Sequence, residues 1–276
     1  FGVNKTREEL TRDGRLYAPP ELERRVRELT ARHLAGEPVA YLIGEWEFYG
    51  LPLDISKEVL IPRPDTEVLV DQALPYVQSL GNCRVLDLCA GSGCIGLAVA
   101  SQCPESRVVL GELSDGALRI CRQNIRRNGL TTRMESICVD VRQVPGSFPP
   151  GSFDVCISNP PYFSGGPASR TAALARREDA CSPADLFRAA AWTLKYGGDF
   201  FLVHRPERLA ELIVRGSEVN LEAKRLCLVR HQADSPVNLV LLHLRKGGKP
   251  GLKWEEIVLH DLSGAPTEQY RRIYHL

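Results

Sequence analysis

The sequence predicts an α/β fold in which helices cover a mostly parallel sheet of seven strands. Three observations predict it. Short apolar runs of strand length alternate with helical patterns between residues 84 and 158. A glycine-rich turn over residues 89–96 follows the first run and opens a helix. The later runs end in Glu112, Asp140 and Asn159, so polar side chains would line one edge of the sheet, where α/β folds bind ligands.

Length and composition fit a globular protein with a core of ordinary size. The chain has 276 residues, of which 43% are hydrophobic and 25% charged. A net charge of +1 gives no general attraction to nucleic acid or membrane. Lys and Arg number 18 against 21 Asp and Glu up to Tyr162, and 17 against 13 after it. This asymmetry indicates either an anionic partner for the second half or ordinary solvated surface charge.

The nine cysteines predict a reducing compartment. They show no Cys-x-x-Cys spacing and stand in apolar surroundings, which is typical of buried thiols and of neither a metal site nor a disulfide framework. We find no signal peptide and no apolar run that would span a membrane. We therefore expect the protein to be cytoplasmic. We also expect it to bind no metal ion. The chain begins at Phe1 and not at Met, which we interpret as a truncated start.

Residues 1–80 are predicted to form an arm before the main domain, which would span residues 81–276. The arm contains an amphipathic helix over residues 21–29 and a short hairpin over residues 41–53. A helix from Thr66 to Leu80 follows, which Thr66 or Asp65 would cap. Just before this helix, Pro62 and Pro64 flank Arg63 and restrict its backbone. Arg63 would form a local salt bridge or meet a ligand carboxylate.

The glycine-rich turn indicates a nucleotide-like ligand. Glycines there let the backbone approach the ligand, and Asp87 precedes them at the end of its strand. Glu112 lies about twenty residues further on, the distance at which an acidic side chain meets a ribose diol. Dehydrogenases share this pattern, so a nicotinamide-dependent oxidoreductase is one alternative.

A strand over residues 153–158 ends at Asn159-Pro160-Pro161-Tyr162, because neither proline can donate a ladder hydrogen bond. Asn159 Oδ1 and the Pro160 carbonyl can accept both hydrogens of a planar –NH2 group while Tyr162 stacks on its face. This grip would aim the nitrogen lone pair at an electrophile. The alternative is a turn that merely ends the strand.

With these motifs the chain resembles the class I S-adenosylmethionine-dependent methyltransferases that act on planar nitrogens through an Asn-Pro-Pro-Tyr motif. Residues 1–162 resemble the HemK/PrmC family of release-factor glutamine methyltransferases more closely. The residues that carry this resemblance are Gly36-Glu37-Pro38, Gly44-Glu45-Trp46-Glu47-Phe48-Tyr49-Gly50, Leu60-Ile61-Pro62-Arg63-Pro64-Asp65-Thr66-Glu67 and the loop over residues 87–96.

The resemblance implies a Rossmann-like methyltransferase fold with S-adenosylmethionine as cofactor. The turn would surround the methionine part, Glu112 would hold the ribose, and Asp140 and Val141 would lie beside the adenine, although the family often has an aromatic residue in place of Val141. The implied cofactor-binding residues are Asp87, Cys89, Ala90, Gly91, Ser92, Gly93, Glu112, Asp140, Val141 and Asn159. The implied catalytic residues are Asn159, Pro160, Pro161 and Tyr162.

Residues 163–276 would complete the sheet. A loop over residues 163–180 is expected beside the site, with Phe163 and Arg176 joining Arg63 on the substrate side. A helix over residues 183–195 would end at Gly197-Gly198. Strands over residues 224–230 and 237–244 would form an antiparallel pair at the sheet edge. This half resembles bacterial methyltransferases that modify an adenine amine in valine tRNA, so the chain has a composite pattern with its seam near Asn159.

The favoured function is methylation of a glutamine side-chain amide in a peptide release factor, because the HemK/PrmC family docks its protein partner through the arm. The alternative is methylation of the adenine amine in tRNA. A third hypothesis is a recombinant chain that binds the cofactor and catalyses nothing. The phosphate contacts expected for tRNA are Arg170, Arg176, Arg177, Lys246 and Lys249.

Overall fold

The computed structural model describes Glu9, residues 19–161 and residues 181–273. The chain divides into two compact units, residues 1–45 and residues 46–276. The hairpin and the helix between residues 46 and 80 therefore belong to the larger unit, whereas the sequence pattern groups them with the arm. Among the described residues, no helix is both long and apolar enough to cross a membrane.

Two helices of the first unit are described along their full length, α1 (Pro20–Leu34) and α2 (Val39–Ile43). Each begins directly after a proline, which suits a position where no backbone N–H is needed. Leu29 is the buried residue of α1, while Leu34 is 81% exposed. Most of α1 therefore faces solvent.

The second unit starts within a two-stranded hairpin and continues as alternating strands and helices around one large sheet. Its strands are β1 (Glu45–Phe48), β2 (Leu51–Asp54), β3 (Arg84–Leu88), β4 (Arg107–Glu112), β5 (Met134–Cys138), β6 (Phe153–Ser158), β7 (Leu194–His204), β8 (Leu221–Arg230), β9 (Val237–Lys246) and β10 (Lys253–Val258). Its helices are α3 (Glu67–Leu80), α4 (Cys94–Gln102), α5 (Asp115–Arg127), α6 (Val144–Ser147), α7 (Pro183–Thr193), α8 (Leu209–Glu218) and α9 (Glu268–Ile273).

Within the described residues, the large sheet has eight strands in the order β10-β8-β9-β7-β6-β3-β4-β5. Strands β5, β4, β3, β6 and β7 run parallel, and β9 is antiparallel to both β7 and β8. The chain proceeds outward from β3 to β5 and then returns to place β6 on the other side of β3. That reversal creates the crevice at the strand ends where α/β sheets bind ligands. The predicted α/β fold with a mostly parallel sheet is confirmed.

The structure differs from the prediction in the number of strands and in which strand forms the edge of the sheet. The sheet has eight strands and not seven, and the antiparallel pair β8 and β9 is not its edge, because β10 pairs in parallel outside β8. Only Ile257 of β10 is buried and Trp254 is 70% exposed, so the strand contributes little to the core. Ion pairs from Arg225 to Glu255 and from Arg230 to Glu256 connect it to β8.

The glycine pair at residues 197 and 198 also differs from expectation. Helix α7 ends at Thr193, and β7 begins at the next residue and runs through both glycines. Gly197 has φ +79°, and the pairing register between β6 and β7 shifts over this stretch. The glycines therefore permit an irregularity within a strand and do not end a helix.

Aromatic side chains fill the core on the side of the sheet that α7 covers. Phe187 of α7 meets Phe200 of β7 edge to face, with ring centroids 5.5 Å apart, and both are fully buried. On β6, Phe153 is fully buried and packs against Phe148 in the same manner. This packing anchors the amino end of β6, whose carboxyl end leads to Asn159.

Candidate functional site

A pocket opens at the carboxyl ends of the central parallel strands, at the topological reversal. The empty space within it, counted together with the solvent-open mouth, is about 1020 Å³. The lining comes from the segment before α3, the glycine turn, and the residues after β4, β5 and β6. The lining residues are Glu58, Val59, Leu60, Pro62, Arg63, Thr66, Cys89, Ala90, Gly91, Ser92, Cys94, Ile95, Gly111, Glu112, Leu113, Ser114, Ala117, Val139, Val141, Asn159, Pro161 and Cys181.

The glycine turn after β3 brings bare backbone to the pocket. Cys89, Gly91 and Gly93 all have positive φ values, of 62°, 58° and 81°. A Cβ on Gly91 would meet no atom within 4 Å, so its backbone borders open space, whereas a Cβ on Gly93 would lie 2.8 Å from Leu110 Cδ1. The turn is therefore tight against the sheet on one side and accessible to a ligand on the other.

Glu112 holds the turn in position. Its Oε2 accepts a hydrogen bond from Gly91 N at 2.8 Å, and its Oε1 accepts from Leu113 N at 2.8 Å and Ser114 N at 2.9 Å. One carboxylate thus fixes two loops at adjacent strand ends. Its remaining lone pairs border the pocket and can accept hydroxyl hydrogens from a ligand.

Asp87 lies beneath the turn and not among the lining residues. It is fully buried, and its Oδ2 accepts from Gly96 N at 2.9 Å. Burial raises the pKa of Asp87 to about 7, and the charge of Glu112 adds to the shift. Its Oδ1 has no partner within the described parts of the chain. Asp87 therefore supports the start of α4 from behind.

Asp140 and Val141 play different parts. The Asp140 carboxylate accepts hydrogen bonds from Arg142 N at 2.9 Å and from the Arg142 guanidinium, and the Arg142 side chain holds the pKa of Asp140 below its ordinary value. Val141 lines the pocket together with Val139. The lining near β5 is therefore apolar, which suits the flat face of an aromatic base.

Asn159 and Pro161 line the pocket beside the glycine turn, because Ser158 pairs with Leu88, the residue before that turn, and Pro160 between them is buried. Ser158 fixes the strand end, because its Oγ donates to Leu88 O at 2.7 Å. Asn159 Nδ2 donates to Thr66 Oγ1 at 3.3 Å. The structure thus brings Asn159 to the same pocket as Glu112. Tyr162, Phe163 and Arg176 lie outside the described residues, as do Arg170 and Arg177.

The segment before α3 contributes more of the lining than the sequence indicated. Arg63 lines the pocket, and so do Glu58, Leu60 and Thr66. The sequence feature that indicates a role for this segment is the pair of prolines, Pro62 and Pro64, on either side of Arg63. Thr66 makes no capping hydrogen bond to α3, contrary to its expected role.

Of the second-half cations that the structure describes, none lines this pocket. Lys246 Nζ donates to Ala191 O at 2.5 Å and Leu194 O at 2.7 Å, and burial lowers its pKa. Lys246 is the last residue of β9, and Leu194, one of its two partners, is the first residue of the parallel strand β7. Lys246 therefore lies towards the opposite edge of the sheet from Asn159. The described residues contain no cluster of side chains that could hold a metal ion.

Two family models match the chain. Residues 65–217 match the methyltransferase small domain, and residues 2–44 match the PrmC N-terminal domain. The first match covers more than half of the chain and includes the glycine turn, Glu112 and Asn159.

Curated relatives share about half of the chain. A release factor glutamine methyltransferase from Bordetella pertussis is 42% identical over 146 residues, which is 52% of this chain and 52% of the relative. One from Agrobacterium fabrum is 42% identical over 143 residues, which is 50% and 48%. The chain thus spans about half the length of the curated relatives that it matches. Their names do not support the tRNA alternative.

Solved structures show the same fold. A predicted O-methyltransferase from Agrobacterium tumefaciens superposes with a TM-score of 0.60 at 23% identity, covering 73% of this chain and 94% of that one. A S-adenosylmethionine-dependent methyltransferase from Aquifex aeolicus gives a TM-score of 0.51 at 10% identity, covering 67% and 94%. At such identities the likeness concerns the fold alone.

Proposed function

This chain belongs to the family of the methyltransferase small domain, and from that premise we propose that it methylates the side-chain amide of a glutamine in a peptide release factor. The observation that carries the proposal is the position of Asn159, which lies in one pocket with the glycine turn and Glu112. The names of the curated relatives and the match to the PrmC N-terminal domain support the choice of substrate.

The pocket fits S-adenosylmethionine, which supplies an electrophilic methyl group when bound. The open backbone at Gly91 leaves room for the methionine part beside residues 89–93. Glu112 would accept hydrogen bonds from the ribose hydroxyls, and Val139 and Val141 would pack on the adenine. Asp87 would act indirectly, by holding the turn at Gly96 N.

The substrate amide would be held by acceptors at the end of β6. Asn159 Oδ1 and the Pro160 carbonyl would each take one hydrogen of the –NH2 group, and Tyr162 would stack on its plane. Both hydrogens would then be held by acceptors that lie in the amide plane. The face of the nitrogen would remain directed at the methyl donor. The two acceptors would also stabilise the positive charge that develops on nitrogen as its bond to the methyl group forms and the sulfur–methyl bond breaks. One amide hydrogen would then leave to water as a proton, and the products would be the neutral N-methyl amide and S-adenosylhomocysteine. Arg63, Phe163 and Arg176 would border the substrate.

We assign substrate docking to the N-terminal arm, residues 1–80 in the sequence division, with catalysis by residues 81–276. The match of residues 2–44 to the PrmC N-terminal domain supports this assignment. Val39 and Ile43 on α2 are 43% and 55% exposed, so the first unit presents apolar side chains to solvent. A cytoplasmic location is part of the proposal, and the nine free cysteines are consistent with reducing surroundings.

Transfer of a labelled methyl group tests the proposal. The protein is incubated with methyl-labelled S-adenosylmethionine and one of three acceptors: a release factor, the same factor with its candidate glutamine replaced by alanine, or bulk tRNA. Label in the unmodified factor alone is the expected result. Label in tRNA alone would overturn the proposed substrate. Cofactor binding without label in any acceptor would favour the inactive recombinant.

A further inference from the structure

Thr66 lies in the candidate active site without serving the helix that it precedes. It occupies the N-cap position of α3, yet its side chain makes no capping hydrogen bond. Its Oγ1 instead donates to Asp65 Oδ1 at 3.4 Å and accepts from Asn159 Nδ2 at 3.3 Å. Thr66 is 3% exposed, so its hydroxyl is largely shielded from bulk water.

We propose that Asp65 and Thr66 form a hydrogen-bonded relay that fixes the orientation of the Asn159 amide. Thr66 is then a positioning residue, because it acts on the substrate through Asn159. The inference deepens the proposed function and rests on it for its catalytic consequence. The orientation of the amide itself can be measured without a substrate.

Hydrogen-bonding capacity sets the direction of the relay. A carboxylate only accepts hydrogen bonds, and a hydroxyl has a single hydrogen to donate. Once Thr66 donates that hydrogen to Asp65, its oxygen offers only lone pairs to Asn159. A lone pair attracts the –NH2 branch of an amide and repels its oxygen. Thr66 therefore selects one of two amide orientations that are otherwise nearly equal in shape.

The selected orientation is the one that the proposed chemistry needs. With Nδ2 committed to Thr66, Oδ1 is the branch of Asn159 that remains to accept a substrate hydrogen. No hydrogen bond to Asn159 Oδ1 is found among the residues that the structure describes. A flipped amide would instead present –NH2 to the –NH2 of the substrate, and two donors cannot pair. The relay therefore excludes the unproductive orientation before the substrate arrives.

The backbone around the relay is stiff. Asp65 and Thr66 lie in a 3₁₀ turn, Pro64–Thr66, and Thr66 N donates to Arg63 O at 3.0 Å. Pro62 and Pro64 fix the φ angles on either side of Arg63. A rigid support of this kind keeps a positioning group within the small tolerance that catalytic geometry requires. It also gives the proline-bracketed sequence a purpose beyond lining the pocket.

Two substitutions at Thr66 separate the hydroxyl from the shape of the side chain. Thr66→Val preserves the branched shape and removes the hydroxyl, whereas Thr66→Ser keeps the hydroxyl and removes a methyl group. Thr193→Val is the matched control, because Thr193 is also a buried threonine, with its hydroxyl bonded to Ala189 O within α7, away from the pocket. The protein is labelled with ¹⁵N-asparagine, and the Asn159 –NH2 pair is assigned as the pair missing from Asn159→Asp.

In Thr66→Val, we expect the Asn159 –NH2 resonances to shift or broaden and kcat on the release factor to fall about tenfold, because the Asn159 amide loses the acceptor that orients it. Affinity for S-adenosylhomocysteine should stay within about threefold, since the Thr66 hydroxyl is committed to Asn159 and Asp65. Thr66→Ser should restore the resonances and most of kcat. Thr193→Val should leave both unchanged.

Unchanged Asn159 resonances in Thr66→Val would overturn the relay. A kcat loss shared equally by Thr66→Val and Thr66→Ser would also overturn it, because that result assigns the effect to packing. If the wild-type protein methylates no glutamine while the resonances respond as expected, the proposed function fails and the relay stands.

Discussion

Glu112 Oε2 accepts a hydrogen bond from Gly91 N at 2.8 Å, which joins the end of β4 to the glycine turn after β3. The other carboxylate oxygen, Oε1, accepts hydrogen bonds from Leu113 N and Ser114 N. The acidic residue therefore has a structural task in the free protein in addition to its proposed contact with the ribose. A change at Glu112 should disturb the pocket wall and the ligand contact together.

Glu112→Gln is predicted to weaken binding of S-adenosylhomocysteine by tenfold or more. The glutamine –NH2 branch would face a backbone N–H in place of an acceptor oxygen, and the ribose would lose a charged partner. Isothermal titration calorimetry measures the affinity. Glu135→Gln, at an exposed position on β5, is the control and should bind as the wild type does. Equal affinities in all three proteins would contradict the role of Glu112.

Gly96→Ala is predicted to destabilise the fold by about 1–3 kcal/mol through overpacking. An added Cβ would lie 2.3 Å from Leu110 Cδ2 and 3.1 Å from Val108 Cγ1, where α4 approaches β4. Gly146→Ala provides the matched control, because a Cβ there meets nothing within 4 Å. Urea unfolding compares the free energies. A Gly96→Ala protein as stable as the control would show that the helix can move away at no cost.

The buried carboxyl of Asp87 predicts a pH-dependent stability. Its pKa is about 7 in the folded protein, compared with 3.8 for an unperturbed group. Between these values the unfolded chain releases a proton that the folded protein retains, so the free energy of unfolding falls as pH rises from about 4 to about 7. The total loss is on the order of 4 kcal/mol at 1.36 kcal/mol per pH unit.

Asp87→Asn should remove that dependence, because an amide oxygen can still accept from Gly96 N and does not ionise. Urea unfolding at pH 4.5 and pH 8 should show the variant gaining stability relative to the wild type as pH rises. Asp234→Asn, at an exposed carboxyl, should change in parallel with the wild type. A constant difference between Asp87→Asn and the wild type would refute the buried-carboxyl account.

Strand ends could be predicted from the sequence because their signals are local. The apolar runs that end at Glu112 and Asn159, and the glycines after β3, depend on neighbouring residues alone. Side-chain direction could not be predicted in the same way. Asp87 and Asp140 stand at the expected places, but one points beneath the turn and the other pairs with Arg142, and neither lines the pocket.

The remaining differences arise from long-range packing. Strand β10 has one buried residue, Ile257, and is held by pairing with β8, which no local pattern reveals. Thr66 has the sequence features of a helix cap, yet its hydroxyl bonds to Asn159, which is 93 positions away. A hydroxyl chooses among partners according to which of them the fold places nearby, so its role becomes visible only in the assembled site.

The most direct test of the account is the turnover of Asn159→Ala with the release factor, measured under single-turnover conditions and paired with the affinity for S-adenosylhomocysteine. Removing the acceptor that grips the substrate amide should lower the rate by at least about a hundredfold. The affinity should change far less, because the glycine turn and Glu112 remain. A variant that methylates the factor at the wild-type rate would contradict the claim that Asn159 holds the reacting nitrogen.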